Sequence, residues 1–189
     1  YPGKAMLEYF QSIGLTFGGD INAYTGFDET VYRLSNVPTD RVAVLDSALL
    51  VLHDWACAIT LDPAEIDAER GVIHEEWRTG ADATQRLYES VLPIIFHDSK
   101  YANRMPIGTM DVVMNFKPQE IRDYYHRWYR PDQQGIIVIG DFDAEKMEQK
   151  IIDMFSTIKM PENPAKREYF PVPDHKGIDY AIHTDPESS

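Results

Sequence analysis

Two long helical patterns follow one another between residues 40 and 91. Across 40–59, apolar residues recur at helical spacing and cover much of the circumference, which predicts a well-buried helix. Asp62 and Pro63 are typical of the N-cap and first position of a second helix, and a break is expected near Gly80. Helices of this kind must bury their apolar faces against another layer of structure.

Shorter patterns on either side of these helices predict the rest of the fold. A helix ending at Gly14 precedes a predicted hairpin with strands at about Ile21–Thr25 and 29–36. Further on, "MDVVMNF", "KPQEIRDYYHRWY" and "DAEKMEQKIIDMFSTI" predict helices, whereas "QGIIVIGDF" and "GIDYAIHT" predict strands. This order of elements predicts an α+β fold with a largely antiparallel sheet and helices packed on one face.

Composition excludes several classes of protein. The net charge is −13 without a basic patch, which argues against a nucleic-acid partner. No apolar stretch approaches the roughly 20 residues that span a bilayer. The single cysteine, Cys57, excludes an internal disulfide framework and a cysteine-rich zinc site. From Met160 the chain becomes proline-rich, which is typical of a linker.

The stretch "DAERGVIHEEWRTG" places two carboxylates on one face of the second long helix. Glu69 and Glu76 are seven residues apart, so they lie within about 20° of each other, with Val72 and Ile73 between them on the same side. His74 and Glu75 point away from this line. The two apolar neighbours predict that this face is buried, which is unusual for carboxylates. Two interpretations remain open: a pair of solvated charges, or a metal ligand with a supporting carboxylate.

The strand "NAYT" has two interpretations as well. Asn22, Ala23, Tyr24 and Thr25 could form an ordinary hairpin strand, or an exposed edge that pairs with an extended peptide. The other chemical signals are weak. The histidines stand alone without ligand spacing, the glycines do not form a phosphate-binding loop, and no G-x-S-x-G elbow occurs.

Four stretches resemble the insulinase/pitrilysin family of zinc metallopeptidases, which includes the mitochondrial processing peptidase. In chain order they are "GGDINAYTGFDETVYRLSNVP", "ERGVIHEEWR", "YANRMPIGT" leading to "FKPQEIRDYYHRWYRPD", and "IIVIGDFD". The family carries an inverted motif, H-x-x-E-H, with two zinc-binding histidines and a glutamate that acts as general base. The third zinc ligand is a glutamate in an "ER-x5-E" pattern on a later helix.

The resemblance implies a role for particular residues of this chain. The "ER-x5-E" pattern begins at Glu69-Arg70, so Glu76 corresponds to the third ligand of Zn²⁺ and Glu69 to the acidic residue that supports the site. The "NAYT" strand, Asn22 to Thr25, corresponds to the edge along which a peptide substrate lies. No H-x-x-E-H occurs in these 189 residues, and the resemblance places it before Tyr1, so the general base is absent from this chain.

We therefore expect an N-terminally truncated part of a zinc-dependent endopeptidase. Residues 1–159 would form most of a first peptidase-type domain, and 160–189 a linker and the opening strand of the next. The parent protein would bind Zn²⁺, whereas this fragment would bind none and be inactive alone. Expected partners are an extended peptide and a second homologous half or subunit, and the bacterial periplasm or cell envelope is the expected location. The alternative function is a non-catalytic peptide-binding or scaffold half that pairs with an active homologue.

Overall fold

The computed structural model describes residues 4–187, which form an α+β fold as predicted. The helices are α1 (Ala5–Ser12), α2 (Val42–Cys57), α3 (Pro63–Gly80), α4 (Ala83–Ile95), α5 (Met110–Asn115), α6 (Pro118–Trp128) and α7 (Ala144–Phe155). The strands are β1 (Ile21–Thr25) and β2 (Thr30–Leu34), and short 3-10 helices occur at Lys100–Asn103 and Pro131–Gln133.

The hairpin confirms the predicted antiparallel pairing. Ile21 lies opposite Leu34 and Thr25 opposite Thr30, so the register runs without a bulge. Within residues 4–187 these two strands are the whole sheet. The base of the hairpin joins a hydrophobic cluster formed by Phe10, Leu15, Ile21 and Val51. This cluster ties β1 to helices α1 and α2.

The chain divides into two compact units. One contains the described residues up to Thr60 together with 123–165, and the other contains 61–122 together with the described residues from Lys166 onward. The first unit holds α1, the hairpin, α2 and α7. The second holds α3, α4 and α5.

Local capping sets the starts of helices α3 and α4. The Asp62 side chain accepts a hydrogen bond from Ala64 N at 2.8 Å, and Pro63 opens α3 as predicted. After Gly80, the side chain of Asp82 accepts a hydrogen bond from Gln85 N at 2.8 Å and starts α4. An N-cap carboxylate satisfies backbone N–H groups that have no partner within the helix. The sequence therefore starts a new helix at Asp82.

Helix α2 is less buried than its composition predicts. Val44, Ala48, Leu49 and Val51 are buried, but Val42 remains 63% exposed. A helix that is hydrophobic around its circumference needs neighbours on every side. Within residues 4–187, helix α2 does not have them.

Two predicted strands are absent from the described residues. The segments 134–142 and 177–184 contain no β-structure, and the apolar side chains Ile137 and Ile139 are 84% and 91% exposed. A strand exists only when its backbone groups pair with a neighbouring strand. Neither segment has such a neighbour among residues 4–187, so the strand predictions for both are wrong for this structure.

Candidate functional site

Helix α3 carries the two carboxylates on an exposed face. Glu69 and Glu76 are exposed, and Val72 between them is 57% exposed. The expectation that this face is buried is therefore wrong for residues 4–187. The side of α3 that packs against other residues instead contains Ile66 and Arg70, which are four positions apart and therefore lie on the same side of the helix.

The two candidate carboxylates differ from their neighbour in what they contact. Among residues 4–187, the side chains of Glu69 and Glu76 form neither a hydrogen bond nor an ion pair. Glu75 accepts a hydrogen bond from Arg78 Nε at 2.9 Å and contacts His74 Nδ1 at 3.7 Å. The hydrogen bond from Arg78 and the charge of His74 lower the pKa of Glu75. Glu69 and Glu76 thus have oxygen atoms free for a ligand, whereas Glu75 is already engaged.

Arg70 fastens α3 to α5 and was not identified from the sequence as an individual residue. Its Nη2 donates to the Phe116 carbonyl at 2.6 Å, and its Nη1 donates to the Val113 carbonyl. Its Nε donates to Asp67 Oδ1 at 3.0 Å. The sequence signal that could have identified it is its position four residues after Ile66, on the packing side of the helix.

The "NAYT" strand is exposed and has one edge without a strand neighbour. β1 pairs with β2 on one side. On the other side Phe17 forms an isolated bridge with Ile21, and no described strand lies beside Asn22 to Thr25. Asn22 braces this edge, because its Nδ2 donates to the Gly18 carbonyl at 2.8 Å and its Oδ1 accepts from Ala23 N at 2.8 Å. Tyr24 donates a hydrogen bond to Glu29 at 3.2 Å, which raises the pKa of Tyr24. An open edge can accept an extended peptide as a further strand.

Asp20 organises the turn that leads into β1. Its Oδ2 accepts hydrogen bonds from Thr16 N and Thr16 Oγ1, each at 2.7 Å, and its Oδ1 accepts one from Asn36 Nδ2 at 2.7 Å. Hydrogen bonds to the charged form lower the pKa of Asp20. Asp20 precedes β1 and Asn36 follows β2. The hydrogen bond between them therefore connects the two strands at the base of the hairpin.

A pair of tyrosines anchors the middle of the hairpin. Tyr32 on β2 lies opposite Ala23 in the strand register. Its hydroxyl lies 2.6 Å from that of Tyr129, which follows α6. Burial and the hydrogen bond to Tyr129 raise the pKa of Tyr32. No local pattern predicts this contact, since the two residues are 97 positions apart.

The two candidate features lie in different compact units. The unit with α3 holds Glu69 and Glu76, and the unit with the hairpin holds the "NAYT" strand. Three or more His, Cys, Asp or Glu side chains arranged to hold a metal ion are not found among residues 4–187. Within the same residues, every helix is too short or too polar to cross a membrane.

The chain is similar to curated zinc proteases. It is 41% identical over 165 residues to the probable zinc protease PqqL of Escherichia coli, an alignment that covers 87% of this chain and 17% of that protein. It is 30% identical over 190 residues to the zinc protease PQQL-like of Arabidopsis thaliana, covering 100% of this chain and 20% of that protein. The chain thus spans a fifth or less of the length of these relatives.

Solved structures agree with the sequence comparisons. The first half of the periplasmic protease PqqL from Escherichia coli superposes with a TM-score of 0.84 at 38% identity, covering 92% of this chain and 36% of that one. The ferredoxin protease FusC in complex with Arabidopsis ferredoxin superposes with a TM-score of 0.78 at 28% identity, covering 88% of this chain and 18% of that one.

Family models identify both parts of the chain. The model of the peptidase M16 inactive domain matches residues 115–189, and the model of the insulinase family, peptidase family M16, matches residues 1–106. The second match covers more than half of the chain. Together with the similar zinc proteases, it identifies this chain as a member of the insulinase family, peptidase family M16.

Proposed function

We propose that this chain is part of a zinc-dependent endopeptidase that cleaves extended peptides. Glu76 supplies the third zinc ligand, and Glu69 supports it as a neighbouring carboxylate. The observation that carries this proposal is the pair of exposed carboxylates, Glu69 and Glu76, on one face of α3 without a protein partner among residues 4–187. A carboxylate oxygen is a competent zinc ligand.

The donor set fits a site that other residues must complete. One ligand and one supporting carboxylate are too few to hold zinc tightly. When bound, zinc would polarise the scissile carbonyl and lower the pKa of its attached water. The contribution of this chain is to hold the Glu76 carboxylate in place.

Asn22, Ala23, Tyr24 and Thr25 bind the substrate in this proposal. The open edge of β1 supports it, because an extended peptide can satisfy the backbone groups there by forming a further strand. Asn22 already holds the N–H of Ala23 through its own side chain. A peptide carbonyl would take over this donor as it pairs with the strand.

The parent protein, its partners and its location belong to the same proposal. Residues 1–159 form most of a first peptidase-type domain, and 160–189 form a linker into the next. Residues 161–187 support this division, because they are mostly exposed and form neither helix nor strand. A second homologous half or subunit encloses the peptide. The bacterial periplasm or cell envelope is the proposed location, which the similarity to a periplasmic protease supports.

Substitution of Glu76 in the full-length protein tests the zinc site. We expect Glu76→Gln to remove most of the zinc affinity, measured by chelator competition, because one of three protein ligands is weakened. Glu75→Gln is the matched control, since Glu75 is engaged by Arg78, and it should leave zinc affinity nearly unchanged. Equal losses from both variants would contradict the proposed ligand.

Peptides methylated on single backbone nitrogens test the edge strand. A methyl group at a paired position removes a donor to β1, and we expect KM to rise about fivefold for each lost hydrogen bond. Methylation outside the paired segment is the control and should leave KM unchanged. A zinc-independent parent protein that still binds the peptides would instead support the non-catalytic scaffold half.

A further inference from the structure

Arg70 is a largely buried cation between two helices. Its side chain is 12% exposed, and all three groups of guanidinium N–H donors find acceptors. The guanidinium carbon also lies 3.9 Å from the centre of the Phe116 ring. Such a set of contacts leaves the side chain little freedom, so Arg70 fixes the position of α3 against α5.

The carbonyl acceptors at the end of α5 match the planar shape of the Arg70 guanidinium. Val113 and Phe116 lie in and just after the last turn of α5, where carbonyl groups lack partners within the helix. A planar guanidinium can reach two carbonyls at once, and a positive charge is favourable at a helix C-terminus. A lysine ammonium lacks this planar, forked set of N–H donors. A lysine in place of Arg70 could therefore not donate to both carbonyls with the same geometry.

The contacts of Arg70 set the rotation of α3 about its own axis. On an ideal helix, Glu69 and Glu76 lie about 100° and 120° from Arg70, both on the same side. When Arg70 points at α5, the carboxylates of Glu69 and Glu76 must both point in one defined direction away from α5. Their exposure, beside the buried Ile66, agrees with this arrangement.

We propose that Arg70 is a positioning residue for the metal site: by holding its fork on the Val113 and Phe116 carbonyls, it fixes the rotation of α3 that presents Glu76 to the zinc ion. The inference rests on the proposed function of Glu76. It adds a residue that touches neither metal nor substrate and acts through the helix that carries the ligand.

The zinc affinity of the full-length metal-free protein tests this inference. Arg70→Lys keeps the charge and removes the fork, and we expect zinc to bind about tenfold more weakly in chelator competition, as for other residues that orient a metal ligand. Arg78→Lys is the matched control, since Arg78 is on the same helix but pairs with Glu75 at the surface. That variant should retain the zinc affinity of the unmodified protein.

A protein that already carries Glu76→Gln distinguishes a positioning role of Arg70 from a general effect on stability. If Arg70 acts through Glu76, Arg70→Lys should have no further effect on zinc affinity in a protein that already carries Glu76→Gln. A purely structural residue would lower the melting temperature of the metal-free protein and leave its zinc affinity unchanged. Phe116→Leu removes the ring beneath the guanidinium and keeps the two carbonyls, so it should weaken zinc binding in the same direction but less.

The outcomes distinguish the two proposals. Unchanged zinc affinity in Arg70→Lys, with a large loss in Glu76→Gln, would overturn the role of Arg70 alone. An equal loss with and without Glu76→Gln would overturn it too, because Arg70 would then act by another route. Unchanged zinc affinity in Glu76→Gln would overturn the proposed zinc ligand. If Arg70→Lys does not fold, Phe116→Leu gives the same decision.

Discussion

The hydroxyl groups of Tyr32 and Tyr129 lie 2.6 Å apart and connect the hairpin to the end of α6. The Tyr129 ring also packs against Tyr125, with ring centres 4.4 Å apart. Tyr125 in turn donates a hydrogen bond to the Trp55 carbonyl at the end of α2, at 2.9 Å. The strand opposite Ala23 is thereby attached to α2 and to the part of α6 that belongs to the same unit.

Removing either hydroxyl should loosen the hairpin. We expect Tyr32→Phe to lower the free energy of unfolding by about 1 kcal/mol, since the partner hydroxyl loses a half-buried hydrogen bond. Tyr129→Phe should cost a similar amount, and the double variant less than the sum of both. Denaturant titration measures these values. Tyr180→Phe, at an exposed tyrosine, is the control; strict additivity would contradict the contact.

Tyr32 and Tyr125 predict a loss of stability at high pH. Burial and the Tyr129 hydrogen bond raise the pKa of Tyr32 above the ordinary tyrosine value of 10.0, and burial raises the pKa of Tyr125 to about 12. A raised pKa in the folded state stabilises the protein below pH 10, and this contribution is lost as the pH rises above it. Phenolate absorbance should therefore appear together with unfolding for these tyrosines. Their titration near pH 10 in the folded protein would contradict the prediction.

Asp20 predicts a pH dependence at the acidic end. Hydrogen bonds from Thr16 and Asn36 lower the pKa of Asp20 below its ordinary value of 3.8. This carboxylate therefore stabilises the fold above pH 3.8, and the contribution is lost as the pH falls through the lower folded-state pKa. Asp20→Asn should lower the melting temperature at neutral pH, and the difference should shrink in acid. Asp174→Asn, at an exposed position, is the control variant.

The cap at Asp82 should control the start of α4. Asp82→Ala removes the acceptor for Gln85 N and should cost about 1 kcal/mol of unfolding free energy. Asp82→Ser retains a capping oxygen and should restore most of this loss. Thermal unfolding monitored by circular dichroism measures both variants. Identical melting temperatures for the alanine and serine variants would show that the hydrogen bond contributes nothing.

The isolated 189-residue chain should bind zinc weakly. Among residues 4–187, no three His, Cys, Asp or Glu side chains are placed to hold a metal ion, and two free carboxylates on α3 make a poor zinc site. Equilibrium dialysis should therefore detect no tight stoichiometric zinc, and peptide cleavage should not depend on zinc. One tightly bound zinc per chain would contradict the proposed division of the site between this chain and other residues.

Local chemistry explains which elements the sequence predicts well. Asp62 and Pro63 start α3 where expected, and Gly14 follows α1 with a positive φ of 97° that suits glycine. The hairpin is predictable because its turn and its alternating side chains lie within a few residues of each other. Each of these signals acts over one or two turns of chain, so it is visible in the sequence.

Tertiary structure determines burial and strand pairing. The segment around Ile137 has a strand pattern, but without a neighbouring strand among residues 4–187 it forms no ladder. Val72 suggested that the face between Glu69 and Glu76 is buried, yet Arg70 turns another side of α3 toward its neighbour. A periodic pattern shows which residues share a face, and the contacts of the helix decide where that face points.

The sequence alone thus determined the positions of the helices and the hairpin, the shared face of Glu69 and Glu76, and the resemblance to the insulinase family. Only the tertiary structure identified Arg70 as the link from α3 to α5 and Tyr129 as the partner of Tyr32. The physical reason is range: capping, turns and helical spacing depend on neighbouring residues. A hydrogen bond across 46 or 97 positions depends on how the whole chain packs.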